Sequence, residues 1–471
     1  MEKNAWNKYS DEDLKKIEEI AASYKKFLTT CKTERECVKE IILEVENNGF
    51  KNLADIIKNK EKILPGDKIY ANNRNKAIAL FILGEKDITE GINILGAHID
   101  SPRLDVKANA IYEDLPFAYF DTHYYGGIKK YQWTALPLSI HGIIVKKDGT
   151  KIDIKIGEDD SDPVVVITDL LPHLASEQLK NKASDVIEGE NLDILIGSRP
   201  LKGTEKESVK ANVLKLLKDK YEIEENDLIS AEIEIVPAAK ARDCGLDRSM
   251  IIGYGQDDRV CAYTALRAFL DTNNVKRTVS CIFVDKEEIG SVGSSSMQST
   301  FYENTVLEIA NLLGKKATTT LGRIFTNSYM LSNDVNAGFD PLYKSVMDKR
   351  NSTFFGNGIA FCKYTGSKGK SGSNDADCEY LALLRDIMDS NNITYQVSEL
   401  GKVDAGGGGT IAYILANKNI NVIDCGIGLL NMHAPFEVSS KSDVYEMYCG
   451  NLAFLTNIKW YLKWQIIINM I

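Results

Sequence analysis

Two histidines and a set of carboxylates are the residues of this chain whose types and spacing could do chemistry. They fall in five short segments: His98 and Asp100 in GAHIDSPRLDVK, Asp257 in GYGQDDRV, Glu287 and Glu288 in VDKEEIGS, Asp334 in LSNDVNAGFDP, and His433 in LLNMHAPFE. Each segment is polar and follows or interrupts an apolar, strand-like run. Imidazole nitrogens and carboxylate oxygens are the donors that zinc-like ions take. Gathered at strand ends, they would hold two such ions with a carboxylate left over as general base, the equipment of metal-dependent peptide hydrolysis. The chain has only five histidines, at 98, 123, 141, 173 and 433, so two of them in acidic or Gly-bounded segments are informative.

Taken singly, each motif also has an ordinary structural explanation. His98 could cap a turn; at i, i+2 spacing Asp100 could instead accept from its second ring nitrogen and fix its tautomer. Asp257 and Asp258 open a helix, where acids suit the macrodipole. One of them could also bridge two cations, with Arg259 steering the neighbouring acid. Glu287 and Glu288 are more specific, because a buried strand delivers two like charges into a Gly/Ser turn. That is costly unless cations compensate. One glutamate could bind metal while its neighbour takes a proton. Asp334, beside Asn333, suits an Asx turn. His433 follows the last core strand.

Strands and helices must alternate to place these residues. DLKKIEEIAASYKKFL and TERECVKEIILEVENNGF have helical periodicity, and KAIALFILG and INILGAHID read as strands. The pattern predicts an α/β fold with a central mixed sheet flanked by helices. Ligands in such sheets gather at the carboxyl ends of the strands. Residues 105–245 change character: HYYGGIKKYQWTALPLSIHGIIVKKDGTKIDIKIG is rich in β-formers and hairpin signals, and KESVKANVLKLLKDKYEI reads as a surface helix. This predicts a mostly β domain inserted between two parts of the first, 1–104 and 246–471. The C-terminal NLAFLTNIKWYLKWQIIINMI reads as an apolar helix that packs on the body or a partner.

Bulk composition narrows the classes. With 471 residues, 44% hydrophobic and 26% charged, the chain is a globular protein of two or three domains. A net charge of −10 without a basic run argues against nucleic acid. MEKNAWNKYSDEDLKKIEE is too charged for a signal peptide, and no apolar stretch reaches the ~18–20 residues that span a bilayer, so no membrane partner is expected. Nine cysteines without a CxxC pair read as free thiols in a reducing cytoplasm. The loop DAGGGGTIAYILANK lacks the GxxxxGK[ST] pattern of a phosphate loop. It reads as a backbone turn lining the site, where the amides around Gly408 and the Thr410 hydroxyl meet a substrate carboxylate or carbonyl. No GxSxG element offers a serine nucleophile.

The ordered set HID, DDR, EEIGS, SND and MHAPFE resembles the aspartyl aminopeptidase family of dinuclear zinc exopeptidases. THYYGGIKKYQW, GSNDADCEY, ELGKVDAGGGGTIA and SSKSDVYEMY are similar to its bacterial branch. The resemblance covers nearly the whole chain. It implies that His98 and Asp334 bind one ion and His433 the other, with Glu288 a further metal ligand. Asp257 bridges them, Asp100 orients His98, and Glu287 is the general base acting on a metal-bridging hydroxide. The ions are two divalent metals, Zn²⁺ first, with Co²⁺ and Mn²⁺ also suited to the donors. The reaction implied is removal of N-terminal residues from peptides, with a preference for Asp or Glu. The assembly implied is a homo-oligomer, a dodecamer built from dimers through the inserted domain.

Two departures stand out. Many family members carry a histidine in the GGI-containing loop that reaches a neighbouring active site; here the stretch has Lys129 and Lys130 instead, so either Lys130 substitutes as an oxyanion partner, His123 just upstream does, or the role is absent. Lys363 lies where the family places the lysine that reads an acidic side chain, but YTGSKGKSGSND around it differs from acid-specific members. The rival readings are another dinuclear amidohydrolase, a carboxypeptidase or deacylase, and a non-catalytic metal-binding scaffold.

Overall fold

Long-range pairing of short apolar segments builds the frame. In a computed structural model, residues 4–458 are described. The final residues of the apolar C-terminal stretch, 459–471, lie outside them.

Nine strands form the main sheet. Four parallel strands make its middle, in the order Val279–Val284, Asn93–His98, Tyr329–Asn333 and Asn421–Gly426. Antiparallel neighbours Ala77–Ile82 and Ile359–Cys362 close the two flanks of this parallel block. Strands such as AIALFI are apolar on both faces because helices cover both. On one face Leu95, Ala97, Cys281, Phe283 and Leu331 pack against helices Asp11–Thr30, Glu34–Asn47, Gln256–Leu270 and Lys441–Asn457. On the other, Ile94, Ile282, Met330 and Val422 pack against Phe301–Leu312, Thr320–Thr326 and Ala412–Ala416. The first two helices begin in capping boxes, Ser10 with Asp13 and Thr33 with Glu36, so each entry is set by local sequence.

A six-stranded antiparallel sheet is built from Arg103–Asp114, Phe117–Tyr125, Leu138–Val145, Lys151–Ile156, Ile194–Gly197 and Ala231–Pro237. It has its own core, with Trp133, Ile140, Ile194 and Ile235 buried, and the helix Ser208–Tyr221 packs on it through Val209 and Val213. A small five-stranded sheet joins Met250–Gly253 to Glu437–Ser440 and Gly428–Leu430. That sheet brings the loop bearing His433 beside the helix entry bearing Asp257. No helix among the described residues is long and apolar enough to cross a membrane.

Candidate metal centre and its cavity

The carboxyl ends of the parallel strands deliver the polar residues to one place. His98 ends the strand Asn93–His98. Glu287 and Glu288 form a 3-10 turn just past Val279–Val284, and Asp334 follows Tyr329–Asn333. Asp257 lies at the non-helical entry of the helix Gln256–Leu270. His433 lies in the loop between the strands Gly428–Leu430 and Glu437–Ser440, in the left-handed region at φ 64°.

Asp257 is the centre of the arrangement. Its Oδ1 is 3.2 Å from His98 Nε2, and its Oδ2 is 3.1 Å from His433 Nε2. Two groups result: His98, Asp257 and Asp334, and Asp257, Glu288 and His433, each with its donor atoms within 4.8 Å of one another. Both imidazoles are fixed from behind by backbone. His98 Nδ1 donates to the Asp100 carbonyl at 3.0 Å, and His433 Nδ1 donates to the Gly127 carbonyl at 2.8 Å. With Nδ1 occupied as a donor to backbone, Nε2 is the nitrogen that faces the cluster, and on losing its proton it would offer a metal its lone pair.

Asp100 does more than stand beside His98. Its carboxylate accepts from the backbone N–H groups of Glu287 (3.1 Å) and Glu288 (3.2 Å), and from the Tyr125 hydroxyl (2.8 Å). It therefore sets the Glu-Glu turn as well as the histidine loop. Arg259 steers no acid; its guanidinium donates to the carbonyls of Lys32 (2.6 Å) and Tyr254 (2.9 Å). Asp258 is buried and belongs to neither triad.

The electrostatics call for cations. Burial pushes the Glu287 carboxyl up to about 7. Burial, then the nearby Asp257 charge, raises Glu288 well above the carboxylate range, and burial with Asp258 does the same to Asp334. Burial would raise Asp257 too, but hydrogen bonds from His433 and His98 outweigh it and hold that carboxyl low. Burial would lower the His433 imidazole, yet its bond to Asp257 raises it to about 10. Glu288 Oε1 is buried without a hydrogen-bond partner. Imidazole and carboxylate donors, strained by like charge and converging within ligand distance, fit divalent zinc.

Glu437 is a site residue that sequence reasoning missed. It is buried, and its carboxylate accepts from the backbone N–H of Asp257 (3.1 Å) and of His433 (2.8 Å). Burial, then Asp257, pushes it up to about 8. Its only signal was its place in HAPFE, four residues after His433. Two glycines let backbone approach the cluster. A Cβ on Gly426 would stand 1.9 Å from the Asp334 carbonyl oxygen, so only glycine fits. Gly126, at φ 77°, would bring a Cβ to 3.2 Å from Glu288 Oε2.

The cluster opens into a cavity of about 670 Å³. Gly408 and Thr410 of the Gly-rich loop line it, as does Gly127 of the GGIKKYQW loop. Lys363 and Lys130 are not brought to this wall. Lys363 Nζ pairs with Asp375 Oδ1 at 2.6 Å, and Lys130 begins a 3-10 turn three residues past Gly127. His123 is exposed, with Nδ1 2.8 Å from the Tyr124 carbonyl oxygen. The lysines that do line the cavity are Lys368, Lys370 and Lys402, all exposed.

Comparison with known proteins agrees with this geometry. Residues 27–454 match the family model described as aminopeptidase I zinc metalloprotease (M18). A curated relative from Clostridium acetobutylicum, "Probable M18 family aminopeptidase 1", is 58% identical over 97% of this chain and 98% of its own length. One of the same description from Thermotoga maritima is 47% identical over 95% and 97%. Among solved structures, the Thermotoga maritima M18 aminopeptidase superposes with a TM-score of 0.93 at 46% identity, covering 97% of this chain and 99% of the other. Aminopeptidase I of Clostridium acetobutylicum gives 0.91 at 57% identity over the same shares. The chain therefore belongs to the M18 peptidase family and is a zinc aminopeptidase, a hydrolase that removes N-terminal residues from peptides.

Proposed function

We propose that the cluster holds two divalent ions that share Asp257, His98 and Asp334 completing one site and Glu288 and His433 the other. The observation that carries this is Asp257 itself, whose two oxygens face two different imidazoles at 3.2 and 3.1 Å. Bound there, the ions supply Lewis acidity, acidifying an attacking water and polarising the scissile carbonyl. Glu287 takes the proton of that water and passes it to the leaving amine. It suits the task because it belongs to neither triad and lies 4.0 Å from His98 Nε2, with burial bringing its proton affinity near neutrality. Asp100 holds the Glu287 and Glu288 amides, and Glu437 holds those of Asp257 and His433. Gly408 and Thr410 of the Gly-rich loop line the cavity that takes the substrate.

A free α-amine distinguishes this reading from a carboxypeptidase or deacylase. A panel of aminoacyl-p-nitroanilides, including Asp, Glu, Leu, Lys and an N-acetylated control, tests it on zinc-loaded protein. Cleavage of free-amine substrates with none of the blocked control is expected; cleavage of the blocked substrate alone overturns the reading. The same panel reports the side chain preferred. Asp and Glu in the lead would assign acid recognition to cations on the cavity wall, Lys368 or Lys402, since Lys363 and Lys370 are both paired with Asp375. Leu or Lys in the lead would remove the acidic preference and leave the mechanism intact.

His433→Ala should bind one zinc equivalent where the wild type binds two, read by elemental analysis after dialysis. His433 belongs to one triad only, so the other keeps all its donors. Two equivalents retained at wild-type affinity would remove His433 from the ligand set.

We further propose a cytoplasmic homo-oligomer, in line with free cysteines among the described residues. A yeast aminopeptidase 1 of similar fold, 20% identical with a TM-score of 0.74, is described as a dodecamer. By that analogy the assembly is a dodecamer built from dimers, each joined through the six-stranded sheet.

A further inference from the structure

The end of one strand of the six-stranded sheet is seated against the metal cluster. Phe117–Tyr125 closes with a buried tyrosine, whose hydroxyl donates to Asp100 Oδ2 at 2.8 Å. The same oxygen accepts from the Glu288 N–H at 3.2 Å, and Asp100 Oδ1 accepts from the Glu287 N–H at 3.1 Å. The next two residues reach further into the cluster. A Cβ on Gly126 would stand 3.2 Å from Glu288 Oε2 and 3.3 Å from Glu288 Cβ, and the Gly127 carbonyl accepts from His433 Nδ1 at 2.8 Å.

The Tyr125 ring is itself held. It pairs in register with Arg103, whose guanidinium carbon lies 3.9 Å from the ring centroid. A desolvated cation over an aromatic face is attracted by the ring quadrupole, and Arg103 is buried. Three carboxylates fix Arg103 in turn: Asp105 Oδ1 at 2.8 Å, Glu234 Oε2 at 3.2 Å, and Glu34 Oε2, on the helix Glu34–Asn47, at 3.6 Å. The hydroxyl is therefore aimed at Asp100 by a rigid support.

Asp100 needs that donor. The last torsion of an aspartate is broad, so hydrogen bonds decide where its oxygens point. Asp100 is 1% exposed, so bulk water does not replace a donor it loses. Without the hydroxyl the carboxylate is freed to turn, and turning loosens both amides it holds. We infer that Tyr125 is a positioning residue: acting through Asp100, it fixes the Glu-Glu turn and with it the carboxylate of Glu287, so that the six-stranded sheet sets the aim of the base. This deepens the mechanism proposed above and rests on Glu287 as its base.

Kinetics and zinc content of Tyr125→Phe test the inference, on the aminoacyl-p-nitroanilide that the wild type cleaves best. Phenylalanine keeps the ring over Arg103 and removes only the hydroxyl. The kcat should fall about tenfold, with KM within about twofold and zinc content unchanged. In the Glu287→Gln background the same change should cost less than about twofold, because no base is left to misplace. A rise in KM, loss of zinc, or the full loss repeated in the Glu287→Gln background would overturn the inference. Arg103→Lys, which keeps the charge and the Tyr125 hydroxyl but loosens the ring, should lower kcat alone, by about threefold. It carries the test if Tyr125→Phe fails to fold, and an unchanged kcat there would then overturn the inference. Wild-type kcat in Glu287→Gln would sink the base reading and this inference with it. Wild-type kcat in Tyr125→Phe beside an impaired Glu287→Gln would sink only the role of Tyr125.

Discussion

Glu287→Gln is expected to lower kcat by about three orders of magnitude while leaving the zinc content unchanged. Glutamine keeps the size of the side chain and the backbone N–H that donates to Asp100 at 3.1 Å, so the Glu-Glu turn stays in place. It cannot take a proton from water. Glu287 is in neither group of convergent donors, so the ions keep their ligands. Substrate binding does not need the lost proton acceptor, so KM should stay within about twofold. Steady-state kinetics paired with elemental analysis check both halves of the prediction. Retention of a tenth or more of the wild-type kcat would take the general-base role from Glu287. Loss of a zinc equivalent would make it a ligand instead. Glu288→Gln is the internal contrast: its Oε1 lies 3.5 Å from His433 Nε2, and the same change there should cost metal.

Much of this site was legible because metal chemistry restricts residue types. His98, Glu287, Glu288 and Asp334 each follow an apolar run, and the main sheet brings those strand ends together. The parallel block itself was readable from INILGAHID and RTVSCIFVD, since strands covered on both faces must be apolar throughout. Other features gave no signal. Glu437 acts by accepting from two backbone amides, a role with no spacing rule. Lys363 illustrates alternation: Cys362 and Tyr364 line the cavity, so the residue between them is turned away, to Asp375. The five-stranded sheet was invisible because its strands are two to four residues long and pair across the chain, Met250 with Ser440. Such short segments carry no period to read.

Asp257→Ala should lose both zinc equivalents and reduce turnover to background. Asp257 is the one side chain common to the two groups of donors among the described residues, so its removal takes an oxygen from each. The remaining pairs, His98 with Asp334 and Glu288 with His433, are two-donor sites, short of the three protein ligands that catalytic zinc takes. The metal-free protein should suffer as well. The low pKa of Asp257 and the raised imidazoles of His98 and His433 belong to one buried charge arrangement. Deleting the anion leaves the buried His98 imidazole and the partly exposed His433 imidazole without their partner, and the loss at buried His98 is the costlier of the two. The metal-free variant should therefore melt below the metal-free wild type, with the gap narrowing once the pH is high enough to deprotonate the imidazoles. Comparison with His433→Ala separates the shared role from an ordinary one. A ligand of a single ion would leave one equivalent behind in either variant, whereas a shared ligand empties both sites only at Asp257. One full equivalent retained by Asp257→Ala at wild-type affinity would assign that carboxylate to one ion, and the second would then have to be held by Glu288 and His433 together with a donor from elsewhere in the cavity.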